Sequence, residues 1–360
     1  MSIMNRLKFA VPSAAFSLLF ACSSYAQYTR TDLVTDTGTA KPADPNLVNG
    51  WGLAAFSFTP FWVSDNGTGV STLYSGDGTK NNNLTVTIPA GNGTGPGTPT
   101  GVVANITGSN FVVSEKGNSG TAFFIFATLD GTISGWNPGV GGDHATIAVP
   151  ASATNGAVYT GLAIANNGGN PLLYAADDGP NRKVDVYNNS FQNQKTNLGP
   201  NAFVDPSVPK EFAPYGIQTV SDANGVETVW VTYTGLNKAQ SGFVSGFTTT
   251  GVLKTSLHGP LHSPWGIALS PANFPPFSNA LLVSNNIPRG RIDAFDPNTG
   301  AYRGFLKDAS GNAIEVNDIW AIQFGHGTEP NGLNGATNQL FFTAGPDNYG
   351  HGIFGVIDPQ

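Results

Sequence analysis

The chain has 360 residues but a single cysteine, Cys22, and two methionines. One thiol cannot form a disulfide within the chain, so a body of this length has to rest on a large core. Charge is scarce too: Asp, Glu, Lys and Arg make up 11% of residues where about 25% is usual. There is no Lys/Arg cluster and the net charge is −7, which speaks against nucleic acid and anionic membranes, since both select basic surfaces. After the first 26 residues no apolar run approaches the ~20 residues of a spanning helix. No stretch of 11 or more residues shows helical periodicity, so helices are not expected to build the fold. A Gly-x-Ser-x-Gly elbow, a P-loop and two-histidine zinc spacings are missing as well.

What is abundant is glycine (46), proline (25) and aromatic carbon, with 23 Phe and 6 Trp. Hydrophobic residues reach 40%, too many for a disordered chain. Short apolar runs separated by Gly and Pro mean many tight turns. The N-terminus reads differently. Arg6 and Lys8 precede an apolar stretch from Phe9 to Ala21, and Ser24-Tyr25-Ala26 offers a small-x-small cleavage site. Residues 1–26 are therefore expected to be a signal peptide and 27–360 the mature domain. Leu19-Phe20-Ala21-Cys22 loosely resembles a bacterial lipobox, so cleavage before Gln27 and lipid anchoring at Cys22 both stay open. Either route exports the chain to a periplasmic or extracellular location, with no transmembrane helix left after the signal is removed.

Ser263-Pro264-Trp265-Gly266-Ile267-Ala268-Leu269 is restated along the chain as Trp51-Gly52-Leu53, Thr100-Gly101-Val102, Thr160-Gly161-Leu162, Tyr215-Gly216-Ile217 and Trp320-Ala321-Ile322. The spacings between the Gly (or Ala) positions are 49, 60, 55, 50 and 55 residues. Repeats of this length with several short strands each predict propeller blades, here six. Each blade is expected to open with the restated motif as its inner strand. In the second blade Asn110–Ser114 reads as the next strand. A further pair, Phe123–Thr128 and Thr132–Trp136, turns at Asp130-Gly131, a strong hairpin signal, and this extra length accounts for the 60-residue gap. The sixth blade ends one strand short, while Tyr28–Val34 alternates as a strand without a neighbour. That surplus fills the deficit and closes the ring, which removes exposed edges. The expected fold is all-β, a six-bladed β-propeller closed by its N-terminal strand.

The blade pattern resembles the NHL-like six-bladed propellers. The mature chain is also similar to an uncharacterised family of exported bacterial propellers, through Ile125–Trp136, Tyr159–Ile164, Pro260–Gly266 and Phe342–Pro346. Members of that family often carry a C-terminal sorting tail, whereas this chain ends at Asp358-Pro359-Gln360, so no such anchor is implied. The resemblance implies no activity and carries no catalytic residues.

Candidate residues fall on the loops between second and third strands and on those leading into inner strands, which share one face of a propeller. Asp65, Glu115, Asp177, Asn285 and Asp347 offer oxygen ligands of the kind calcium takes, six to eight at a time. Six-bladed lactonases, which the fold resembles, hold calcium in the channel with such groups. The same residue types beside Gly also serve as ordinary turn formers. Trp51, Tyr159, Tyr215, Trp265 and Trp320 form a near-ring that either lines a ligand-stacking mouth or wedges between blades as core. His262 and His351, near Asp318 and Asp347, are weak candidates for a general acid/base pair, against exposed loop histidines. Two functions follow as expectations. The first is an exported, non-catalytic propeller that binds a ligand or protein partner on its channel face. The alternative is a calcium-dependent lactonase- or esterase-like hydrolase with Ca²⁺ in the channel.

Overall fold

A computed structural model of the protein describes residues 27–40, 42–235, 241–327 and 333–360. The expected signal peptide, with Cys22, lies outside the described residues. The described residues form six antiparallel blade sheets around an axis, each starting with a restated motif, and one separate two-stranded sheet. Inner strands are Gly50–Ala54, Pro99–Ala104, Tyr159–Ala165, Ala213–Ser221, Pro264–Leu269 and Ile319–Phe324. No described helix exceeds four residues.

A steric demand at the axis explains the repeated glycine. A Cβ on Gly52 would stand 2.4 Å from the Thr100 carbonyl oxygen, and one on Gly101 would stand 2.2 Å from the Leu162 nitrogen. The same holds onward around the ring, from Gly161 to Ile217 (3.0 Å), Gly216 to the Trp265 carbonyl (2.1 Å) and Gly266 to the Trp320 carbonyl (2.4 Å). Each inner strand thus lies against the backbone of the next blade with no room for a side chain. Blade 6 carries Ala321 instead. There Thr343 of the second strand donates to the Trp51 carbonyl at 2.5 Å, and Ser284 does the same for the Trp320 carbonyl at 2.6 Å.

The ring closes as expected. Tyr28–Thr35 pairs antiparallel with Ile353–Pro359, from Tyr28 opposite Pro359 to Thr35 opposite Ile353, and becomes the outer strand of blade 6. Tyr28 is 2% exposed and sits against Phe274, with ring centroids 4.7 Å apart, so closure also brings blade 5 into contact with the N-terminal strand. Arg30 donates to the Glu315 carbonyl at 2.5 Å.

One blade departs from expectation. In blade 2 the second strand is Phe124–Thr128, turning through Asp130-Gly131 into Ile133–Trp136, and Thr146–Val149 is the outer strand. Asn110–Ser114 is not the second strand. Its Val112–Ser114 part, within Val112–Glu115, pairs instead with Asn118–Thr121 in a hairpin inserted after the inner strand. Blade 3 has only three strands, because Gln192 to Gln194 cover part of the outer edge of Lys183–Asn188 with single hydrogen bonds rather than a strand.

Gly216→Ala should lower unfolding stability by about 1–3 kcal/mol, since the added methyl meets backbone that cannot swing away. Ala321→Gly, which only loosens a strand, should lower it by about 0.5–1 kcal/mol. Denaturant melts of the two variants check the order; equal losses would mean the ring of close approaches is not what selects glycine.

Candidate functional site

Strand direction defines two faces. On the upper face inner strands begin and second strands turn into third strands; on the lower face inner strands end. Most of the candidates from the sequence sit on the upper face, and there the channel is shut. Trp51 stacks on Trp320 at 3.7 Å between centroids, Trp265 meets both edge-on at 6.3 and 5.8 Å, and Tyr215 lies 5.8 Å from Trp320. These four rings are 8% exposed or less. Trp265 reaches across the axis, and its Nε1 donates to the Thr160 carbonyl of blade 3 at 3.0 Å, while Trp320 Nε1 donates to Asn49 Oδ1 at 2.9 Å. Trp51 Nε1 is buried without a partner.

Tyr159 is not part of this cluster. The position that matches Trp265 in blade 3 is Thr160, and one residue of offset in a strand turns a side chain to the opposite side. Tyr159 points into the blade, its hydroxyl 2.6 Å from that of Tyr187 and 3.0 Å from Asp185. Burial raises its pKa far above the ordinary tyrosine value, with Tyr187 and Asp185 adding to the shift.

The proposed oxygen ligands are engaged locally. Asp65, Asp177 and Asn285 occupy the same place, opposite the start of their inner strands. Asp177 Oδ1 accepts the Val158 and Gly179 amides at 2.8 Å each. Asn285 accepts the His262 amide at 2.7 Å and donates to Asp293 at 2.8 Å. Asp65 is fully buried and takes one hydrogen bond, from Thr72 at 2.8 Å, with Oδ1 unpartnered. Burial holds its pKa well above the usual carboxylate range, with the Thr72 hydrogen bond opposing the shift. Glu115 lies on the other side of the molecule. As part of the inserted hairpin on the lower face, it pairs with His144 at 2.7 Å, and that hydrogen bond lowers its pKa. Asp347 is exposed. Among the described residues no group of three or more His, Cys, Asp or Glu is arranged to hold a metal ion.

The histidines sit in separate networks. His351 Nδ1 lies 2.8 Å from Asp36 and Nε2 lies 4.0 Å from Asp347, and the Asp36 hydrogen bond raises its pKa. His262 is held through its backbone. Asp318, 7% exposed, has its pKa raised by burial and then by Asp347. Asp347, Asn348 and Tyr349 run consecutively through left-handed backbone, with φ of 58°, 55° and 66°. This turn sets Tyr349 over Trp320 at 5.5 Å, with its hydroxyl 3.1 Å from Asn286.

Below the aromatic cluster the channel narrows to a void of about 10 Å³ between the inner-strand glycines, then widens on the lower face into a basin of about 240 Å³. Leu53, Ala54, Val103, Ala104 and Ile164 wall the basin, with Gln218, Thr219, Gln323 and His326 as its polar residues. Among the described residues no Asp, Glu, Lys or Arg lines it. Sequence reasoning missed this site, although a signal was present. Two residues after the motif Gly or Ala stand Ala54, Val103, Ala163 and Ala268, but Gln218 and Gln323 in blades 4 and 6.

No family model matches the chain. Uncharacterized protein L690 of Acanthamoeba polyphaga mimivirus is 30% identical over 334 residues, covering 88% of this chain and 82% of its own length. Uncharacterized protein R648 of the same virus is 30% identical over 341 residues, covering 89% and 77% respectively. Both relatives are viral, so they lend no support to a bacterial family. Among solved structures, a luciferin-regenerating enzyme aligns with a TM-score of 0.50 at 11% identity, covering 87% of this chain and 92% of that one. That likeness is one of fold.

Two substitutions test the reading of the upper face. Trp320→Ala should cost about 3–5 kcal/mol of stability, as expected for a buried aromatic; a loss below about 1 kcal/mol would mean that the rings do not act as core. Asp65→Asn tests the buried acid. A raised folded pKa means that the wild type keeps its relative stability below the unfolded value near 3.8 and loses it as pH rises toward the folded one. The variant should therefore match the wild type in acid and become the more stable of the two at neutral pH, read from melts across that range.

Proposed function

We propose a binding function for this chain, which belongs to the family of the uncharacterised mimivirus proteins L690 and R648. In this reading it is an exported, non-catalytic β-propeller that takes a ligand or protein partner at the mouth of its channel. The observation that carries the reading is the asymmetry of the axis. Aromatic core seals the upper end, and the lower end opens into a basin that no Asp, Glu, Lys or Arg among the described residues lines. A site with apolar walls and a few convergent polar groups is the usual form of a small-molecule site.

Export rests on the leader pattern of residues 1–26, with soluble release favoured over lipid anchoring at Cys22 by the poor fit of Phe20 to a lipobox. No helix among the described residues is long and apolar enough to cross a membrane. The sparse and net negative charge favours partners other than nucleic acid.

The calcium-dependent hydrolase is the second reading. One observation favours it: His351 and Asp347 lie 4.0 Å apart at the upper rim, both open to solvent. The oxygen ligands it needs do not fit. Asp65, Asp177 and Asn285 are turned into their own blades, and calcium requires several such groups converging at 2.3–2.6 Å.

Calorimetry and thermal melting of residues 27–360 with calcium, and again with chelator, separate the two readings. The expected result is no saturable heat and an unchanged melt. A folded-state site at about 100 times its Kd would instead add about 2.7 kcal/mol, and that stabilisation with turnover of lactones or esters would replace binding with hydrolysis.

A further inference from the structure

We propose that the outer flank of blade 3 docks an extended segment of a partner protein, which adds as the blade's fourth strand and sets a carboxylate beside Arg182. This site is separate from the basin, and neither reading depends on the other.

Five blades carry a fourth strand, at Tyr28–Thr35, Val86–Thr87, Thr146–Val149, Leu253–Ser256 and Tyr302–Phe305. Blade 3 ends at its third, Lys183–Asn188. On its outer edge the Asn188 amide donates to the Gln192 carbonyl at 2.9 Å, and the Gln194 amide donates to the Val186 carbonyl at 2.7 Å. The chain then turns away into the short helix Lys195–Leu198. Backbone groups of an antiparallel strand point to alternate neighbours, so Val184 faces the same way as Val186 and Asn188. Among the described residues neither the N–H nor the C=O of Val184 has a partner. Val184 is half-buried rather than enclosed, so a newcomer can reach both groups.

A groove stands where the fourth strand would run. Its volume is about 430 Å³, against about 240 Å³ for the basin. Lys183–Val186 form one wall and the segment from Leu198 to Val204 the other. The Phe203 amide donates to the Gly251 carbonyl at 2.9 Å, which ties the far wall to blade 4. That wall is apolar at Leu198, Ala202, Phe203 and Val204, and Val204 is 50% exposed. Val252, next to Gly251 and 63% exposed, continues the apolar surface outward.

These features select the occupant. Open main-chain groups on a strand edge pair with another extended backbone, and alternate side chains then enter neighbouring pockets. Four residues of strand span about 13 Å, so a short segment fits the groove and a folded domain does not. Charge sets the polarity. Lys183 is paired with buried Asp185 at 2.5 Å. Exposed Arg182 donates only to the carbonyls of Lys210 and Glu211, at 3.2 and 2.8 Å, and meets no carboxylate among the described residues. A guanidinium so placed favours a carboxylate. A strand antiparallel to Lys183–Asn188 brings its C-terminal end to Arg182, so the acidic residue belongs there.

The probe is the peptide acetyl-Thr-Val-Thr-Val-Asp-amide, added to the purified chain and read by calorimetry and by hydrogen exchange at the Val184 amide. Binding should slow that exchange by about tenfold or more. A fully N-methylated copy and a copy ending in Lys should each bind at least about tenfold more weakly. Val184→Pro removes the open N–H at a position where an edge strand accepts proline; it should abolish binding while the melting temperature holds. If that variant folds poorly, Arg182→Glu serves, and should reverse the preference between the Asp and Lys peptides. Unchanged exchange at Val184, equal binding of the N-methylated copy, or no change in preference with Arg182→Glu would each overturn the proposal. Protection of Val184 that rises with protein concentration in the absence of peptide would also overturn it, by making a second copy the occupant. None of these outcomes bears on the basin.

Discussion

The close approach of inner strands around the axis is the constraint on which the rest of the structure depends. With the Cβ positions of Gly101 and Gly216 within 2.2 Å of the next blade's backbone, six strands converge until only about 10 Å³ remains between them. A channel this tight cannot pass a ligand from one face to the other. The two ends must therefore be considered as separate sites, and the residues just before and just after the glycine decide what each end is. Before it stand Trp51, Tyr215, Trp265 and Trp320, and large rings above a closed waist have nowhere to go except onto one another. Two positions after it stand Ala54, Val103, Ala163 and Ala268, too small to fill the widening space, so a basin opens there.

The upper cluster then imposes its own demands on the loops above it. Its Trp blades enter their strands through a left-handed residue three before the glycine or alanine, at Asn49, Ser263 and Asp318, with φ of 50°, 47° and 52°. Such backbone costs about 1–2 kcal/mol per residue, and the burial of three indoles is large enough to offset it. The left-handed run at Asp347 to Tyr349 belongs to the same arrangement, since it brings Tyr349 onto Trp320 and the Tyr349 and Tyr215 hydroxyls onto Asn286. Carboxylates and amides that look like a ligand set in the sequence are here holding these loops in place.

The architecture was legible because it follows from sterics that act on residue type at a regular spacing. Glycine before an apolar pair recurs where backbone meets backbone, and the unpaired alternation at Tyr28 to Val34 answered the missing strand beside Ile353–Pro359. Pairing partners were less legible. Val112 to Ser114 does form a strand, but alternation alone does not say which strand it meets, and its true neighbour is Asn118–Thr121. Assigning it to the blade carried Glu115 to the wrong face. The aromatic ring failed at one place for a related reason: Tyr159 and Thr160 are adjacent, and only register tells which one faces the axis. The basin was hidden because, among the described residues, no Asp, Glu, Lys or Arg lines it and its one histidine, His326, belongs to no motif; its trace is two glutamines where the other blades carry Ala or Val.

Uncharged polar side chains in a tight channel admit two physical explanations, and the hydrogen bonds distinguish them. Were Gln218 and Gln323 there only to wet a surface, their polar atoms would meet solvent or one another. Instead Gln323 Nε2 lies 3.2 Å from Nε2 of His326, and Oε1 is buried with no hydrogen-bond partner among the described residues. Thr219, one position along from Gln218, repeats the pattern with an unpartnered hydroxyl. Replacing such groups by apolar residues of similar shape would leave the fold as stable or more so. Groups so buried act within the wall of the basin, so the surface it presents is set by the aliphatic side chains around them.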